Sequence, residues 1–80
     1  MDKIGLITIT YNSDSVLEPF LDCVWNQTHD NLILYVIDNS SSDNTLSILK
    51  KSNDSRLTII ENKINFGVAK ANNQGIIKAI

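Results

Sequence analysis

The chain has 80 residues, of which 42% are hydrophobic and 20% charged, with a formal net charge of −2. This length makes one small domain or a piece of a larger one, and the negative balance argues against a nucleic-acid partner. The single cysteine, Cys23, excludes an intrachain disulfide and fits a reducing compartment. No run approaches the roughly 20 apolar residues that span a bilayer, and no signal peptide is present, so we expect a cytoplasmic protein.

The apolar pattern predicts three strands that alternate with three helices. Strands are expected at Ile4–Thr10, Leu32–Ile37 and Leu57–Glu61, each a short run rich in branched apolar residues. In the first helix, Ser15 and Glu18 have the spacing of a capping box. Pro19 would then fall near the first turn, and four apolar residues at helical spacing predict the inward face: Leu17, Phe20, Leu21 and Val24.

The second and third helices have similar signals. Asp43 or Ser42 can cap the second helix, which has Leu46 and Leu49 inward. Lys50-Lys51 near its carboxyl end suits the helix dipole. The third helix is predicted from Val68 to Ile80, with an inward face made of Val68, Ala71, Gly75, Ile76 and Ala79.

The order βαβαβα predicts an α/β fold, a three-layer Rossmann-like half-domain with a parallel sheet in the strand order 3-2-1. In that order the first strand is an edge, so Ile4, Ile7 and Ile9 are expected to be poorly covered. The chain stops in a helix with no closing strand, and we therefore expect a fragment that is marginally stable or self-associates.

Polar residues follow each predicted strand, and in a parallel sheet these loops share one edge. Tyr11 follows the first strand and could stack on a planar base. Asp38 follows the second strand and could accept hydrogen bonds from a base or a ribose, so we interpret it as a ligand contact and not as a core residue. The helices that begin after these loops direct N–H groups at the same edge, where they favour phosphate.

Each of these residues also has a structural interpretation. Tyr11 could cover the first helix, and Asp38 could bond the backbone of its own turn. We interpret Asp43 as a helix cap rather than as a ligand contact. Gly67 is expected to adopt a backbone angle that is unfavourable for other residues. The sequence has no cysteine or histidine spacing typical of a metal site, and its three glycines form no glycine-rich phosphate loop.

Three segments, in order and spread over the chain, resemble motifs of family 2 glycosyltransferases of the GT-A fold. Thr10–Ser13 resembles their opening T-Y-N, and Val36–Thr45 resembles their V-D-N-S-S-x-D-x-T segment. Asn65–Ile76 is similar to the N-x-G-F-A-x-G-N-N-x-G form of rhamnosyltransferase-like members. Gln27-Thr28 matches the Q-T that ends the first helix in many members.

The resemblance implies the amino-terminal, donor-nucleotide-binding part of an enzyme of polysaccharide biosynthesis. Such an enzyme moves a sugar from a UDP- or dTDP-sugar to the hydroxyl of a saccharide or lipid-linked acceptor. By the resemblance, Tyr11 packs on the base, Asp38 bonds it and Thr10 lines the same pocket. The third-helix motif would face the phosphates or the sugar, and its nucleotide-binding residues would be Asn65, Gly67 and Asn72, the last standing where many members carry Arg.

Two parts that the resemblance implies are not found in these residues. One is the D-x-D motif that holds Mg²⁺ or Mn²⁺ against the diphosphate, and the other is the carboxylate base of an inverting displacement. The chain alone is therefore expected to be inactive, and the intact enzyme could associate peripherally with a membrane. A non-catalytic α/β nucleotide-binding or interaction module stays open as the alternative. A receiver-like domain is disfavoured because no acidic pair follows the first strand.

Overall fold

The computed structural model describes residues 4–26, 31–52 and 54–80. The matched pair Gln27-Thr28 lies outside these ranges. The strands and helices alternate along the whole described chain as predicted, and their bounds are β1 (Ile4–Thr10), α1 (Asp14–Trp25), β2 (Leu32–Asn39), α2 (Thr45–Lys51), β3 (Leu57–Asn62) and α3 (Val68–Ala79).

The three strands form one parallel sheet in the order β1-β2-β3, which is the predicted order 3-2-1 seen from the other side. The α/β, Rossmann-like prediction is therefore confirmed. β2 extends through Asp38 and Asn39, two residues beyond the prediction, because these residues pair with Glu61 and Asn62 of β3. All three strands end at the same edge of the sheet, where Thr10 lies beside Asp38.

One face of the sheet packs against α1 and α2. From Leu32 to Val36, every second residue of β2 points to this face and is apolar. These side chains pack against the inward faces of both helices in one buried cluster of Leu17, Leu21, Val24, Leu32, Leu34, Val36 and Leu49. Phe20, predicted to be inward, is 36% exposed. The reason is that β1 is the edge strand, so the apolar groove of about 320 Å³ between it and α1, which Phe20 lines with Val16, stays open on its outer side.

The other face of the sheet is covered by α3 through two small residues. Ala71 and Gly75 are buried, and a Cβ atom at Gly75 would lie 2.6 Å from Ile7 Cγ2 and 2.8 Å from Ile37 Cδ1. This close approach leaves room for a narrow contact stripe only. The prediction of a wider inward face is therefore wrong for Val68 and Ile76, which are 71% and 42% exposed. Ala79 does face the sheet although it is exposed, because a Cβ atom at Gly5 of β1 would lie 4.0 Å from the Ala79 Cβ.

The predicted capping box at the start of α1 is also wrong. The helix begins at Asp14, so Ser15 lies inside its first turn and Pro19 lies in the helix interior. The earlier start follows from contacts outside the local sequence, because the Asp14 backbone N–H donates to Asp43 Oδ2 at 3.2 Å. A local hydroxyl cap is not needed where a neighbouring loop supplies the acceptor.

β1 is an edge of the sheet among the described residues, and its cover is uneven. Ile4 and Leu6 are 40% and 37% exposed, whereas Ile7 and Ile9 are half-buried. The expectation of poor cover is thus confirmed for Ile4, but α3 covers Ile7 through Gly75. Within the described ranges, none of the helices combines the length and the hydropathy needed to cross a membrane.

Candidate functional site

Thr10 and Asp38 join the ends of β1 and β2. The Thr10 hydroxyl donates to Asp38 Oδ1 at 2.7 Å, and Ser41 donates its backbone N–H to Oδ2 at 2.9 Å and its hydroxyl to Oδ1 at 2.6 Å. Asp38 is completely buried. The expectation that Asp38 is not a core residue is therefore wrong, because the residue belongs to a central strand and its carboxylate is covered by Ser41.

Tyr11 follows β1 directly, next to the Thr10–Asp38 pair. Its side chain is 53% exposed, while its backbone N–H donates to Ser13 Oγ at 3.3 Å. An aromatic ring that is half in solvent beside a buried carboxylate offers a stacking surface. The Tyr11 ring thus provides a flat surface, and the Thr10–Asp38 pair provides polar groups at the neighbouring position.

Asn12 links the first loop to the second. It has a positive φ of 48°, and its backbone N–H donates to Ser41 Oγ at 2.9 Å. Asn12 Oδ1 in turn accepts the backbone N–H of Ser42 at 2.8 Å. These reciprocal bonds hold the two loops in one arrangement, so Tyr11 and Asp38 keep a defined relative position.

Asp14 and Asp43 cap the starts of α1 and α2 reciprocally. Asp43 Oδ1 accepts the Thr45 backbone N–H at 2.9 Å, its Oδ2 accepts that of Asp14 at 3.2 Å, and Asp14 Oδ2 accepts the Asn44 N–H at 3.2 Å. Burial raises the pKa of the Asp43 carboxyl, but the hydrogen bonds from Thr45 and Asp14 outweigh it and leave the pKa below its ordinary value of 3.8. Asp43 therefore binds the starts of both helices, although it does so from the position before Asn44, which is the N-cap residue of α2.

The third loop leads into a helix start of a different kind. Gly67, the residue before α3, has a φ of 83°, which confirms the predicted unusual backbone angle, and its N–H donates to Asn65 Oδ1 at 2.8 Å. α3 has neither a side-chain cap nor an acidic residue in its first turn. Lys70 lies there instead, with Nζ 4.3 Å from the centre of the Phe66 ring. This helix start favours an anion.

Asn72 is the one predicted site residue that the structure does not connect to the others. It lies on the exposed side of α3, and none of the hydrogen bonds between described residues joins it to the loops. The structure does bring together two groups at the sheet edge. Thr10, Tyr11 and Asp38 form the first group, and Asn65 and Gly67 form the second.

Three carboxamides that the sequence analysis did not single out form a chain of hydrogen bonds that reaches the second group at Gly67. They are Asn39 at the end of β2, Asn62 at the end of β3 and Gln74 on α3. A signal for the first two exists in the sequence, since an Asn follows each of two apolar runs within two residues. Because Asn39 and Asn62 are paired in the sheet register, their side chains lie next to each other.

The described residues provide no metal centre. None of the groups of His, Cys, Asp and Glu in residues 4–26, 31–52 and 54–80 has the three members that could hold an ion. The carboxylates of Asp14 and Asp43, which lie on neighbouring loops, accept hydrogen bonds from backbone N–H groups. The described residues therefore do not fit a divalent cation on their own.

Comparison with known proteins identifies the family. Residues 6–79 match the model of glycosyl transferase family 2. The chain belongs to this family. Its sequence is 35% identical over 75 residues to an uncharacterised glycosyltransferase of Haemophilus influenzae, covering 91% of this chain and 23% of the relative.

Two further relatives are named for a sugar. The UDP-Glc:alpha-D-GlcNAc-diphosphoundecaprenol beta-1,3-glucosyltransferase WfaP of Escherichia coli is 32% identical over 91% of this chain and 29% of its own length. The structure of the mannosyltransferase PcManGT from Pyrobaculum calidifontis, in complex with GDP-Man and Mn²⁺, superposes with a TM-score of 0.89 at 30% identity. That match covers 98% of this chain and 24% of the mannosyltransferase. The chain thus spans less than a third of each of these relatives.

Proposed function

We propose that this chain is the donor-nucleotide-binding part of a glycosyltransferase that transfers a sugar from a nucleotide diphosphate sugar to an acceptor hydroxyl. The observation that carries the proposal is the half-exposed Tyr11 beside the Thr10–Asp38 pair at the carboxyl edge of a parallel sheet. Ligands of open α/β sheets bind at this edge. The mannosyltransferase with the similar fold was solved with a nucleotide sugar, which supports the same class of donor here.

The base is assigned to Tyr11 and Asp38. The base stacks on the exposed ring of Tyr11, and its N–H groups donate to the Asp38 carboxylate. In the structure the Ser41 hydroxyl already donates to Asp38 Oδ1, so the base replaces this hydroxyl when it binds. Thr10 keeps its bond to the same oxygen and holds the carboxylate in place.

The diphosphate is assigned to the start of α3. The backbone N–H groups of the first turn of a helix have no intrahelical partner, and here no acidic side chain competes for them. Lys70 adds a positive charge in the same turn. Gly67 and Asn65 shape the approach, and Asn72, one turn further on, contacts the sugar or the phosphates.

The remaining chemistry is assigned to parts of the enzyme outside these residues. A carboxylate base there deprotonates the acceptor hydroxyl in an inverting displacement. A divalent cation such as Mg²⁺ or Mn²⁺, bound by those parts, would supply positive charge for the leaving diphosphate. The acceptor is a saccharide or a lipid-linked saccharide, and the product contributes to a polysaccharide. Rhamnose as the transferred sugar and a cytoplasmic location stay predictions from the sequence, and the relatives named for a sugar are named for glucose and mannose.

A thermal-shift panel tests nucleotide binding. UDP, dTDP and GDP are added to the protein with and without Mn²⁺, and a bound ligand raises the melting temperature by mass action. We expect a uridine or thymidine diphosphate to give the largest shift. A panel in which no nucleoside diphosphate moves the melting temperature of a folded sample contradicts the proposal.

Matched variants locate the site. Tyr11→Ala is expected to lose most of the shift while Tyr11→Phe keeps it, because stacking needs the ring and not the hydroxyl. Asp38→Asn is expected to abolish the shift, whereas Asp22→Asn, the same change on an exposed carboxylate of α1, is expected to leave it intact. If Asp38→Asn and Asp22→Asn behave alike, Asp38 does not bind the base.

A further inference from the structure

Three carboxamide side chains form a continuous hydrogen-bonded chain beneath the third loop. Asn39 and Asn62 are 2% and 9% exposed at the ends of neighbouring strands, and Gln74 is half-buried on the second turn of α3. Buried polar groups are costly unless they are hydrogen-bonded, so amides at these positions call for a reason beyond packing.

Asn62 and Gln74 bond each other in both directions. Asn62 Nδ2 donates to Gln74 Oε1 at 2.8 Å, and Gln74 Nε2 donates back to Asn62 Oδ1 at 2.9 Å. Asn62 Nδ2 also donates to Asn39 Oδ1 at 3.0 Å. Both hydrogens of the Asn62 amide are therefore used, and its orientation is determined from two sides.

Asn39 links the carboxamides to the backbone of the third loop. Its Oδ1 accepts the Phe66 N–H at 3.4 Å, and its Nδ2 donates to the Gly67 carbonyl at 3.3 Å. The Gly67 carbonyl also accepts the Ala71 N–H at 3.2 Å, which is the first hydrogen bond of α3. The carboxamide thus engages the residue pair from which the helix starts.

We propose that Asn39, Asn62 and Gln74 are positioning residues that hold Phe66–Gly67 so that the open start of α3 faces the nucleotide site. This proposal rests on the proposed function and deepens it. The three side chains do not contact the ligand. They set the direction of the N–H groups that receive the diphosphate, and an apolar replacement of similar size would fill the space without setting that direction.

The test compares Gln74→Glu with Asn73→Asp. At neutral pH the Gln74→Glu side chain can still accept from Asn62 Nδ2 but cannot donate to Asn62 Oδ1, so one of the two bonds is lost and two oxygens face each other. Asn73→Asp introduces the same charge one residue earlier on the same helix, at an exposed side chain with no hydrogen bond to the described residues. It therefore controls for the electrostatic effect on an anionic ligand.

Two measurements are made on each variant below its melting temperature. Backbone hydrogen exchange of Phe66 without ligand reports the order of the loop, and titration with UDP, dTDP and GDP reports affinity. We expect Gln74→Glu to exchange faster at Phe66 and to bind about five- to tenfold more weakly than Asn73→Asp, the size expected for one lost buried hydrogen bond.

The outcomes separate this proposal from the proposed function. Equal affinity of Gln74→Glu and Asn73→Asp overturns the positioning role, even if Phe66 exchanges faster. Unchanged exchange at Phe66 in Gln74→Glu overturns it as well, because the loop would then not depend on the carboxamides. Failure of the wild-type protein to bind any of the three nucleotides overturns the proposed function, while the exchange data still show whether the carboxamides order the loop.

Discussion

The two sides of the sheet are built by opposite means. On the capped side, made of α1, α2 and the sheet face beneath them, large apolar side chains fill the core and carboxylates occupy both helix starts. On the open side, made of α3 and the opposite sheet face, small residues make the contact, and none of the carboxylates of the described residues bonds the start of the helix. The capped side therefore acts as the scaffold, whereas on the open side the backbone N–H groups of the first turn of α3 stay available for a ligand.

The largest expected effect is on the capped side. Leu49→Ala removes a side chain that is 1% exposed, and the cavity left behind should lower the free energy of unfolding by about 2–5 kcal/mol. Ile77→Ala on α3, where the side chain is 73% exposed, should change it by less than about 0.5 kcal/mol. Urea unfolding of both variants measures the difference, and equal losses would contradict the division into two sides.

Added volume between α3 and the sheet should destabilise the fold from the open side. Gly75→Ala places a Cβ 2.6 Å from Ile7 Cγ2, so either α3 or the isoleucine side chains beneath it must shift, at a cost of about 1–3 kcal/mol. Gly5→Ala is the control, since its Cβ would meet the Tyr35 ring at an ordinary 3.5 Å. Urea unfolding should show Gly75→Ala well below Gly5→Ala. A tolerated Gly75→Ala would mean that the narrow stripe does not limit the approach of α3.

A carboxylate placed at the open helix start should separate stability from binding. Ala69→Asp supplies the acidic first-turn residue that α3 lacks, and it should stabilise the fold by about 0.3–1 kcal/mol. The same charge should weaken nucleoside diphosphate binding by about tenfold or more, because it competes for the N–H groups and repels the phosphates. Urea unfolding and nucleotide titration measure the two effects. Unchanged binding would contradict the proposal that the diphosphate binds at the start of α3.

Acid should weaken the fold through two carboxylates, one at the helix starts of the capped side and one in the loop before β3. Hydrogen bonds from Thr45 and Asp14 overcome the effect of burial and lower the pKa of Asp43, and the hydrogen bond from the Arg56 side chain lowers that of Asp54, in both cases from 3.8. A carboxyl whose pKa is lower in the folded protein stabilises it fully above the unfolded value and loses this contribution as the pH falls through the folded value.

The melting temperature should therefore fall as the pH drops below about 3.8, and Asp43→Asn should make that fall shallower. Asp22→Asn serves as the control, because Asp22 is exposed and far along α1 from the helix start. Melting curves between neutral pH and pH 2 measure both slopes. If Asp43→Asn titrates like the wild type, the reciprocal caps do not contribute to stability.

The smallest expected effect concerns the edge of the sheet. β1 has an unpaired side among the described residues, and Ile4 and Leu6 are exposed there, which invites pairing with a second copy. We expect the melting temperature to depend weakly on protein concentration, and Leu6→Lys to remove the dependence. A sharp, concentration-independent melt of a monomer would contradict the expected self-association.

Much of the fold could be predicted because its signals are local. Strand positions followed from short branched apolar runs, and the parallel order followed from their alternation with helices. The convergence of Thr10, Tyr11 and Asp38 followed from the topology alone, since strands that run in one direction end at one edge. The positive φ of Gly67 was predictable because few other residues tolerate it.

The errors arose where a distant contact overrides a local signal. Ser15 and Glu18 have the right spacing for a capping box, yet the Asp43 carboxylate accepts the Asp14 N–H and the helix starts earlier. Gly75 and Ile76 both have helical spacing to Val68, yet the close approach at Gly75 admits only a narrow stripe. Neither outcome is encoded in the residues nearby.

By itself, the sequence determined the alternating elements, the parallel sheet and the edge at which polar residues gather, because periodicity and chain direction are local properties. Only the tertiary structure decided that the Asp38 carboxylate accepts the Thr10 hydroxyl and that Asn39, Asn62 and Gln74 form one chain of bonds. It also decided that α1 and α2 are capped while α3 is not. The physical reason is that hydrogen-bond partners are chosen by distance in space, and residues separated by 12 to 30 positions meet only when the sheet has formed.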